Sequence, residues 1–598
     1  MSKDQETPLM AYRPSRRRLL RDATFVSLGI IAASCAPGVT TPSPAAGGGK
    51  GKKGGEFRVN WPLDLPPKGV WNYYGNTPIL SGSPYIELIY QNLAIYRWVE
   101  KKWDYLIAES HTATATDFTV KLRKGIKWDN GTDLTAKDVF ATFKIGRLTG
   151  SAIWNFVDDI DTPDDTTVHF KLKKTSALLE RNILRTGIRP AATYGAIADK
   201  AWAEFKAGKT TADDSVKAIR KELTDLVVAA PSSNGPYKFD TASLTEAQMT
   251  LVKNPNGLFA DKVNFDKIVV INGDTDQVTA PILAGDIDYS TSFFPIASEK
   301  AFEGKGIKII RGPYYTGPAL YFHWEAAPQF QDTRVRQAVA WALDRDEANH
   351  VAYGDKTQAP QWVGGISDTL LKTWLSADDQ KKLTVYKKDT AKADSLMKDA
   401  GFARGSDGVW AKDGKKLEFD MQYPSDFSDW SAVATNIGDQ LNKWGIKATL
   451  RGAPRSTQGV DFNQGKFTLS FNAWGTGNPN PQPSAVRPIR EFNTTANGGG
   501  WKYPVKQKTS QGDVDFEALL VQMEDIDVAK VTDAVKKYVM AFNEILPAIP
   551  LAERFNNAPI NVDKRVAGWP ALDAQIYQNG GGDNFAVILI MDGTLGAK

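Results

Sequence analysis

The chain has one cysteine, Cys35, and its position limits how the rest of the chain can be stabilised. Since no cysteine follows it, the fold beyond residue 35 has no internal disulfide and no thiolate metal site. Its stability must therefore come from packing. Seventeen Trp, 19 Tyr and 27 Phe residues supply large side chains for that purpose.

The residues before Cys35 have the order of an export signal. A basic run at residues 15–21 resembles the twin-arginine pattern, an apolar stretch follows at 23–33, and small residues precede the cysteine. The apolar stretch is shorter than the ~20 residues that span a bilayer. A cysteine at this place is typical of a bacterial lipoprotein, although Ala32 stands where such signals usually have leucine. We predict a signal peptide over residues 1–34, lipidation of Cys35 and an extracytoplasmic, membrane-anchored protein; the alternative is a buried helix with an incidental cysteine.

Residues 35–55 are almost all Pro, Gly, Ala, Ser, Thr and Lys, and they offer no large side chain to bury. Such a segment cannot repay the entropy of ordering, so its composition predicts a flexible tether. From Glu56 onward the composition is that of a folded protein. The length of that part predicts two to four domains.

The net charge excludes one class of partner. The whole chain has 73 basic and 69 acidic residues, of which residues 1–34 hold six and three, so the mature part keeps 67 and 66. A net charge near +1 gives no electrostatic footprint for nucleic-acid binding.

Short catalytic and metal-binding motifs are missing from the sequence. The four histidines (His111, His169, His323 and His350) form no closely spaced pair, and no G-x-S-x-G nucleophile motif is present. We therefore predict no metal, no cofactor and no enzymatic activity. Acidic residues are abundant, however, and one sequence does not show which of them meet in space, so a glycosidase carboxylate pair stays an alternative.

Local patterns alternate between strands and helices. Residues 118–123 alternate apolar and polar side chains, as a half-buried strand does. Thr135 followed by Asp138 is the pattern of a capping box, and Asp332 can cap a second helix running through residues 334–348. Further helices are predicted at 389–400 and 429–444, and further strands at 267–271, 417–422 and 447–450. These patterns predict a mixed α/β fold.

Eighteen residues beginning at Leu122, LRKGIKWDNGTDLTAKDV, resemble the signature of the family 5 extracellular solute-binding proteins. The family reads roughly L-R-x-G-V-x-[FW]-x-[DN]-G-x-P-[LF]-T-A-x-D-V there, and the chain departs from it chiefly at Asp133, where the family has proline. Further segments resemble later family motifs in the family's order: 234–239 with 251–256, 332–345, 398–402 and 546–551. Because the motifs agree in order along the chain, it is identified as a member of this family.

The resemblance implies the type II periplasmic-binding-protein fold, an α/β clamshell of two lobes with an extra inserted domain. By analogy, residues 56–96, 229–316 and 546–598 form domain I, residues 97–228 form domain II inserted in the same lobe, and residues 317–545 form domain III, the second lobe. Two chain crossings, near residues 316 and 545, are then expected to form the hinge.

The resemblance also implies a function. Members of the family capture oligopeptides, dipeptides, nickel complexes or oligosaccharides between the lobes and deliver them to the permease subunits of an ABC importer. For this chain we expect a monomer that binds a small-molecule oligomer, sugar or peptide, closes around it and docks on a membrane permease. A secreted glycoside hydrolase and a ligand sensor that signals to a membrane kinase are the alternatives.

The resemblance ties the ligand class to one loop. Peptide-binding members hold the substrate's amine with an Asp in the loop after a strand resembling residues 470–474, but the corresponding loop here, 475–483, has no acidic residue. An amine buried there would lack a countercharge. Oligosaccharide-binding members instead stack sugars on Trp and line the cleft with Asn and Gln, so we expect a sugar or another neutral oligomer.

The candidate ligand-binding residues have aromatic or amide side chains and come from four parts of the chain. They are Trp71, Asn72, Tyr73, Trp324, Trp362, Trp474, Asn478, Asn480 and Gln482. For each tryptophan, packing in the core is the alternative.

Overall fold

The computed structural model describes residues 51–598, except residues 64, 81, 355–358, 426, 494–499 and 581 and the side chains of residues 276 and 456. The predicted signal peptide, Cys35 and the tether up to residue 50 lie outside the described residues. Within the described part, no helix is long and apolar enough to cross a membrane. In the same part, no three His, Cys, Asp or Glu side chains are grouped to hold a metal ion.

The strands are numbered in chain order. They are β1 Glu56–Asn60, β2 Ala94–Arg97, β3 Lys102–Tyr105, β4 Ala108–Ala113, β5 Asp117–Leu122, β6 Val157–Asp164, β7 Thr167–Leu172, β8 Tyr237–Asp240, β9 Gln248–Lys253, β10 Lys267–Ile271, β11 Lys308–Ile310, β12 Thr316–Phe322, β13 Ala403–Arg404, β14 Trp410–Lys412, β15 Lys415–Lys416, β16 Glu418–Pro424, β17 Lys447–Ala453, β18 Leu469–Gly475, β19 Lys506–Thr509, β20 Gly512–Asp515, β21 Ala548–Pro550, β22 Ala558–Ile560, β23 Val566–Ala567 and β24 Gly596–Ala597.

The α-helices are numbered in the same way. They are α1 Ala136–Leu148, α2 Leu179–Leu184, α3 Ala191–Lys206, α4 Asp214–Asp225, α5 Thr275–Ala284, α6 Ile296–Gly304, α7 Thr333–Ala342, α8 Arg345–Tyr353, α9 Asp368–Trp374, α10 Ala377–Gln380, α11 Thr390–Asp399, α12 Ser428–Trp444, α13 Arg455–Asn463, α14 Pro481–Val486, α15 Phe516–Gln522, α16 Val528–Ile545 and α17 Phe585–Met591.

The first lobe is built on a four-stranded sheet in the order β1-β10-β9-β8. β1 and β10 run parallel, with Glu56 beside Lys267 and Asn60 beside Ile271, and the other neighbours are antiparallel. Phe57 of β1 is fully buried. This sheet joins the N-terminal, middle and C-terminal parts of the chain through β1, β10 and the β11–β22 pair beside them.

A second, antiparallel sheet in the order β4-β5-β7-β6 and helices α1 to α4 form the inserted part of lobe 1. Its inward-facing side chains, such as Val120 and Phe170, belong to the same hydrophobic cluster as Phe57. A smaller cluster lies among α1, α3 and α4. The region predicted as domain II, residues 97–228, therefore shares most of its core with domain I.

The second lobe is built on a five-stranded sheet in the order β17-β16-β18-β12-β21. Strand β12, which lies between β18 and β21, is buried along its whole length because apolar clusters cover both faces. Leu320 and Phe322 face one cluster, and Ala319 and Tyr321 face the other, as the alternation of side chains along a strand requires.

Within the range that the structure describes, two segments cross between the lobes. β11 pairs with β22 in lobe 1, whereas β12 pairs with β21 in lobe 2, so the crossings are residues 311–315 and 551–557. The first crossing lies beside the predicted position near residue 316. The second comes after Pro550 instead of near 545, because β21 forms an edge of the lobe 2 sheet and does not start domain I.

The capping box predicted at Thr135 is confirmed: the Thr135 side chain caps α1, and the Asp138 carboxylate accepts a hydrogen bond of 2.8 Å from the Thr135 amide. The long helix predicted over residues 334–348 is wrong in one respect. It is two helices, α7 and α8, because Leu343 adopts an extended backbone and the Asp344 side chain caps the second one.

The end of the predicted tether is part of the fold. The Lys52 amide donates a hydrogen bond of 2.7 Å to the Ala597 carbonyl, and the Gly54 amide donates one of 2.9 Å to the Asn264 carbonyl. Residues 51–55, predicted to be flexible, thus pack against the C-terminal strand.

Candidate functional site

A cavity of about 380 Å³ lies between the two lobes. This volume is within the range of small-molecule sites, roughly 300–1,000 Å³. Five of the residues that line it are aromatic: Trp61, Tyr73, Tyr90, Tyr289 and Tyr314. Five more carry side-chain amides: Asn92, Asn478, Asn556, Asn579 and Asn584. The wall thus combines flat apolar rings with neutral hydrogen-bonding groups.

The second lobe contributes the segment Thr476 to Asn478, directly after β18. Gly475 ends that strand with a φ of 65°, and a Cβ atom there would lie 2.5 Å from the Tyr315 carbonyl oxygen. Only glycine fits this close approach to the first crossing. The Asn478 side chain accepts a hydrogen bond of 2.9 Å from the Asn480 amide, which holds the loop in its turn.

A buried group of four charged residues reaches the cavity wall through two of its members, Glu87 and Arg185. Arg185 pairs with both Glu87 and Asp583, and the fully buried Arg181 also pairs with Asp583. Burial alone would raise the pKa of the Asp583 carboxyl, but the two guanidinium groups hold it below its usual value. Two arginines and two carboxylates therefore balance each other in this group.

A third arginine, Arg189, lines the cavity outside that group. Its guanidinium lies between two tyrosine rings, 3.6 Å from the Tyr73 centroid and 4.1 Å from the Tyr90 centroid. Its backbone is fixed on α1, because the Arg189 amide donates a hydrogen bond of 2.9 Å to the Thr142 hydroxyl. Arg189 is 5% exposed, and no carboxylate of the described residues forms an ion pair with it.

Of the nine residues predicted to bind ligand, the structure places Tyr73 and Asn478 on the cavity wall. The tryptophans of lobe 2 lie elsewhere, in the hydrophobic cluster on one face of the lobe 2 sheet. Trp474 is 1% exposed and its indole N–H donates to the Ala552 carbonyl at 3.0 Å. Trp362 is buried in the same cluster, and Trp324 packs edge-on against Tyr503. These three tryptophans therefore lie in or against the hydrophobic core, which is the alternative given for them in the sequence analysis.

The other four predicted residues support the wall from behind. Trp71 packs on Phe239, and the Asn72 amide donates a hydrogen bond of 2.7 Å to the Leu223 carbonyl. Asn480 caps α14, where its side-chain oxygen accepts from the amide of the buried Gln482 at 2.9 Å. The Trp71, Asn72 and Asn480 side chains make contacts within the protein, so they help to fix the segments that carry Tyr73 and Asn478.

Sequence reasoning missed most of the wall. Arg189 belongs to no motif, and three wall asparagines lie in the second crossing (Asn556) or in the C-terminal part of lobe 1 after it (Asn579 and Asn584). A signal was present there, since the stretch QNGGGDN at residues 578–584 combines amides with glycines that let backbone approach a ligand closely. Gly580, Gly582 and Asn584 of this stretch line the cavity.

The fold is that of proteins with known structures. The mannohexaose-bound periplasmic oligopeptide-binding protein of an oligopeptide ABC transporter from Thermotoga maritima is 21% identical, with a TM-score of 0.69 over 91% of this chain and 98% of that one. The nonapeptide complex of the oligopeptide-binding protein AppA from Bacillus subtilis is 19% identical, with a TM-score of 0.67 over 92% and 100%. The type II periplasmic-binding-protein fold is thereby confirmed.

Similarity is also found in the sequence. AppA of Bacillus subtilis is 26% identical over 348 residues, which are 55% of this chain and 57% of AppA, less than two thirds of that relative's own length. Residues 102–492, more than half of the chain, match the model described as the middle part of the bacterial extracellular solute-binding proteins, family 5. The chain therefore belongs to family 5 of the bacterial extracellular solute-binding proteins.

Proposed function

We propose that this protein is the extracytoplasmic substrate-binding component of an ABC importer, which captures an oligomeric solute between its lobes and delivers it to a membrane permease. The observation that carries the proposal is the cavity, because both lobes supply its wall and two crossings connect them. A ligand that contacts Asn478 of lobe 2 and Tyr73 of lobe 1 favours the closed arrangement over the open one.

The chemistry of the wall supports binding over hydrolysis. A glycoside hydrolase needs two carboxyl groups on opposite sides of the scissile bond. Among the described residues that line the cavity, Glu87 is the single carboxylate, and it is paired with Arg185. We therefore propose that the protein changes no bond of its ligand.

We propose that the solute is an oligosaccharide, or a peptide that places no free amine beside the loop 475–483. Residues 476–478 bring no carboxylate to the cavity, so an ammonium group beside them would find no countercharge there. Tyrosine rings and asparagine amides suit stacking and hydrogen bonding to the uncharged groups of such a chain. The solved relatives with mannohexaose and with a nonapeptide support both classes of oligomer.

We propose also that Cys35 carries a lipid anchor and that the chain acts as a monomer. Residues 51–55 pack on the C-terminal strand, which places the start of the folded part on the surface of lobe 1. Metabolic labelling with a radioactive fatty acid tests the anchor: the wild type is labelled and Cys35→Ser is not.

The function is tested by a thermal-shift screen of the purified protein against di- to hexapeptides and against cello-, xylo- and manno-oligosaccharides. A ligand at 100 times its Kd stabilises the folded form by about 2.7 kcal/mol, which gives a measurable rise in Tm. A rise that is reproduced in binding calorimetry without release of products supports capture. Release of shortened sugars would overturn the proposal, as would the lack of any response.

A further inference from the structure

Arg189 is a buried cation that forms no ion pair with a carboxylate in the described part of the chain. The neighbouring group of Arg181, Arg185, Glu87 and Asp583 is balanced within itself, so it offers Arg189 no spare carboxylate. Burying an isolated charge costs free energy unless a partner of opposite sign compensates it. The stacking on Tyr73 and Tyr90 compensates only in part.

Arg189 and the neighbouring Asn92 also have N–H donors that are free to accept a hydrogen-bond partner from a ligand. The Nε of Arg189 and the side-chain nitrogen of Asn92 are buried and have no hydrogen-bond acceptor among the described residues. The two side chains meet beside Gly187, where a Cβ atom would lie 2.8 Å from the Arg189 Nη1 and 3.1 Å from the Asn92 Oδ1. All three residues line the cavity. Each of the two side chains that line this part of the wall thus keeps one N–H donor without an acceptor, and the donor of Arg189 is charged.

We propose that Arg189 and Asn92 bind a carboxylate group of the ligand, so that the solute taken up is an acidic oligomer. This inference rests on the proposed function and adds the charge of the solute to it. A guanidinium and a carboxamide N–H supply the donors that a carboxylate prefers, and the ion pair forms away from water. The carboxylate belongs either to the C-terminus of a peptide or to an acidic sugar unit.

The backbone around Arg189 and Asn92 holds their side chains in place on the cavity wall. Gly187 pairs with Asn92 through a backbone bridge, so the two donors are held on adjacent extended segments. Pro190 follows Arg189 and is the N-cap residue of α3, which restricts the arginine backbone. Little side-chain freedom is therefore left to lose when an anion binds.

The test compares acidic and neutral ligands of each class by calorimetry on the full-length chain. One pair is an N-acetylated hexapeptide with a free C-terminus and its C-terminal amide, and the other is a hexagalacturonate and mannohexaose. In whichever class binds, we expect the acidic member to bind at least tenfold more tightly. Arg189→Met should remove that preference, and Arg189→Lys should keep part of it.

Arg147→Met is the matched control. The Arg147 guanidinium also stacks on aromatic rings, 4.9 Å from the Trp154 centroid and 4.6 Å from the Phe205 centroid, but it does not line the cavity. This variant should keep the preference for acidic ligands. Thermal unfolding of each variant shows whether it is folded. If Arg189→Met does not fold, Arg189→Lys is used in its place.

The possible failures are distinguishable. Equal affinities for acidic and neutral members, or equal weakening of both in Arg189→Met, overturn the role of Arg189 and leave the proposed function standing. Binding of neither class of oligomer overturns both.

Discussion

The hydroxyl of Ser176 in lobe 1 donates a hydrogen bond of 2.9 Å to the carbonyl of Glu524 in lobe 2. The neighbouring Ala177 amide donates one of 3.0 Å to the same carbonyl, and the Lys174 ammonium lies 3.3 Å from the Glu524 carboxylate. These contacts join the lobes away from the two crossing segments. They exist only while the lobes are together, so they favour the closed arrangement independently of any ligand.

We expect Ser176→Ala to shift the unliganded protein towards the open arrangement. A hydrogen bond of this kind contributes about 1 kcal/mol, which changes a two-state population about fivefold. Small-angle X-ray scattering should therefore give a larger radius of gyration for the variant. Ser243→Ala is the control, because the Ser243 hydroxyl donates to the Asp240 carbonyl within lobe 1. Equal radii for the two variants would show that the contact does not hold the lobes.

Asp583→Asn should be strongly destabilising. Asp583 accepts from the Trp98 indole at 2.8 Å and compensates Arg181 and Arg185, all within a fully buried site. Removing one partner of a buried ion pair leaves uncompensated charge and costs about 3–5 kcal/mol. Denaturant unfolding measures the loss. Asp133→Asn breaks an exposed pair with Lys127 and should cost at most about 1 kcal/mol, and equal losses in both variants would contradict this account.

The local structure and the family could be predicted from the sequence, because capping boxes, strand patterns and family motifs each consist of residues close together in the chain. The Thr135 capping box and the strand at 267–271 depend on neighbouring residues, and they form as predicted. The site was less predictable, because its parts come from distant places in the chain. Trp474 and Tyr73 are both aromatic residues in loops or strand ends, and only packing across the sheet shows that Trp474 lies in the core.

The hinge boundary was missed for a similar reason. Residues 546–551 resemble a family motif, but a motif does not show which sheet its strand joins. That is decided by the pairing of β21 with β12, more than two hundred residues earlier in the chain.

Glu553 should make stability depend on pH. It lies in the second crossing, is 3% exposed and accepts a hydrogen bond from Ser367, and burial raises its pKa to about 7. A carboxyl whose pKa is higher in the folded state stabilises the fold below its unfolded pKa, near 4.5, and this stability is lost as the pH rises through 7. The difference is worth about 3 kcal/mol. Asp368 and Lys372 are the other charged groups that act on it.

Denaturant unfolding of the wild type and Glu553→Gln between pH 4.5 and 8 checks this expectation. The glutamine keeps the volume and an acceptor for Ser367 but does not titrate, so the wild type should lose stability relative to the variant as the pH rises. A constant difference across this range would show that Glu553 does not titrate there.

Two aromatic substitutions should distinguish a residue of the hydrophobic core, Trp474, from a residue of the cavity wall, Tyr73. Trp474→Phe keeps a ring in the core but loses the hydrogen bond to the Ala552 carbonyl, so we expect a lower Tm and unchanged ligand affinity. Tyr73→Leu removes a ring from the cavity wall and one of the two rings that hold Arg189, so we expect at least tenfold weaker binding with a smaller change in Tm. Calorimetry with the oligomer found by screening, together with thermal unfolding, measures both quantities. If Trp474→Phe weakened binding more than Tyr73→Leu, ligand recognition would depend on the lobe 2 core, and the cavity would not be the binding site.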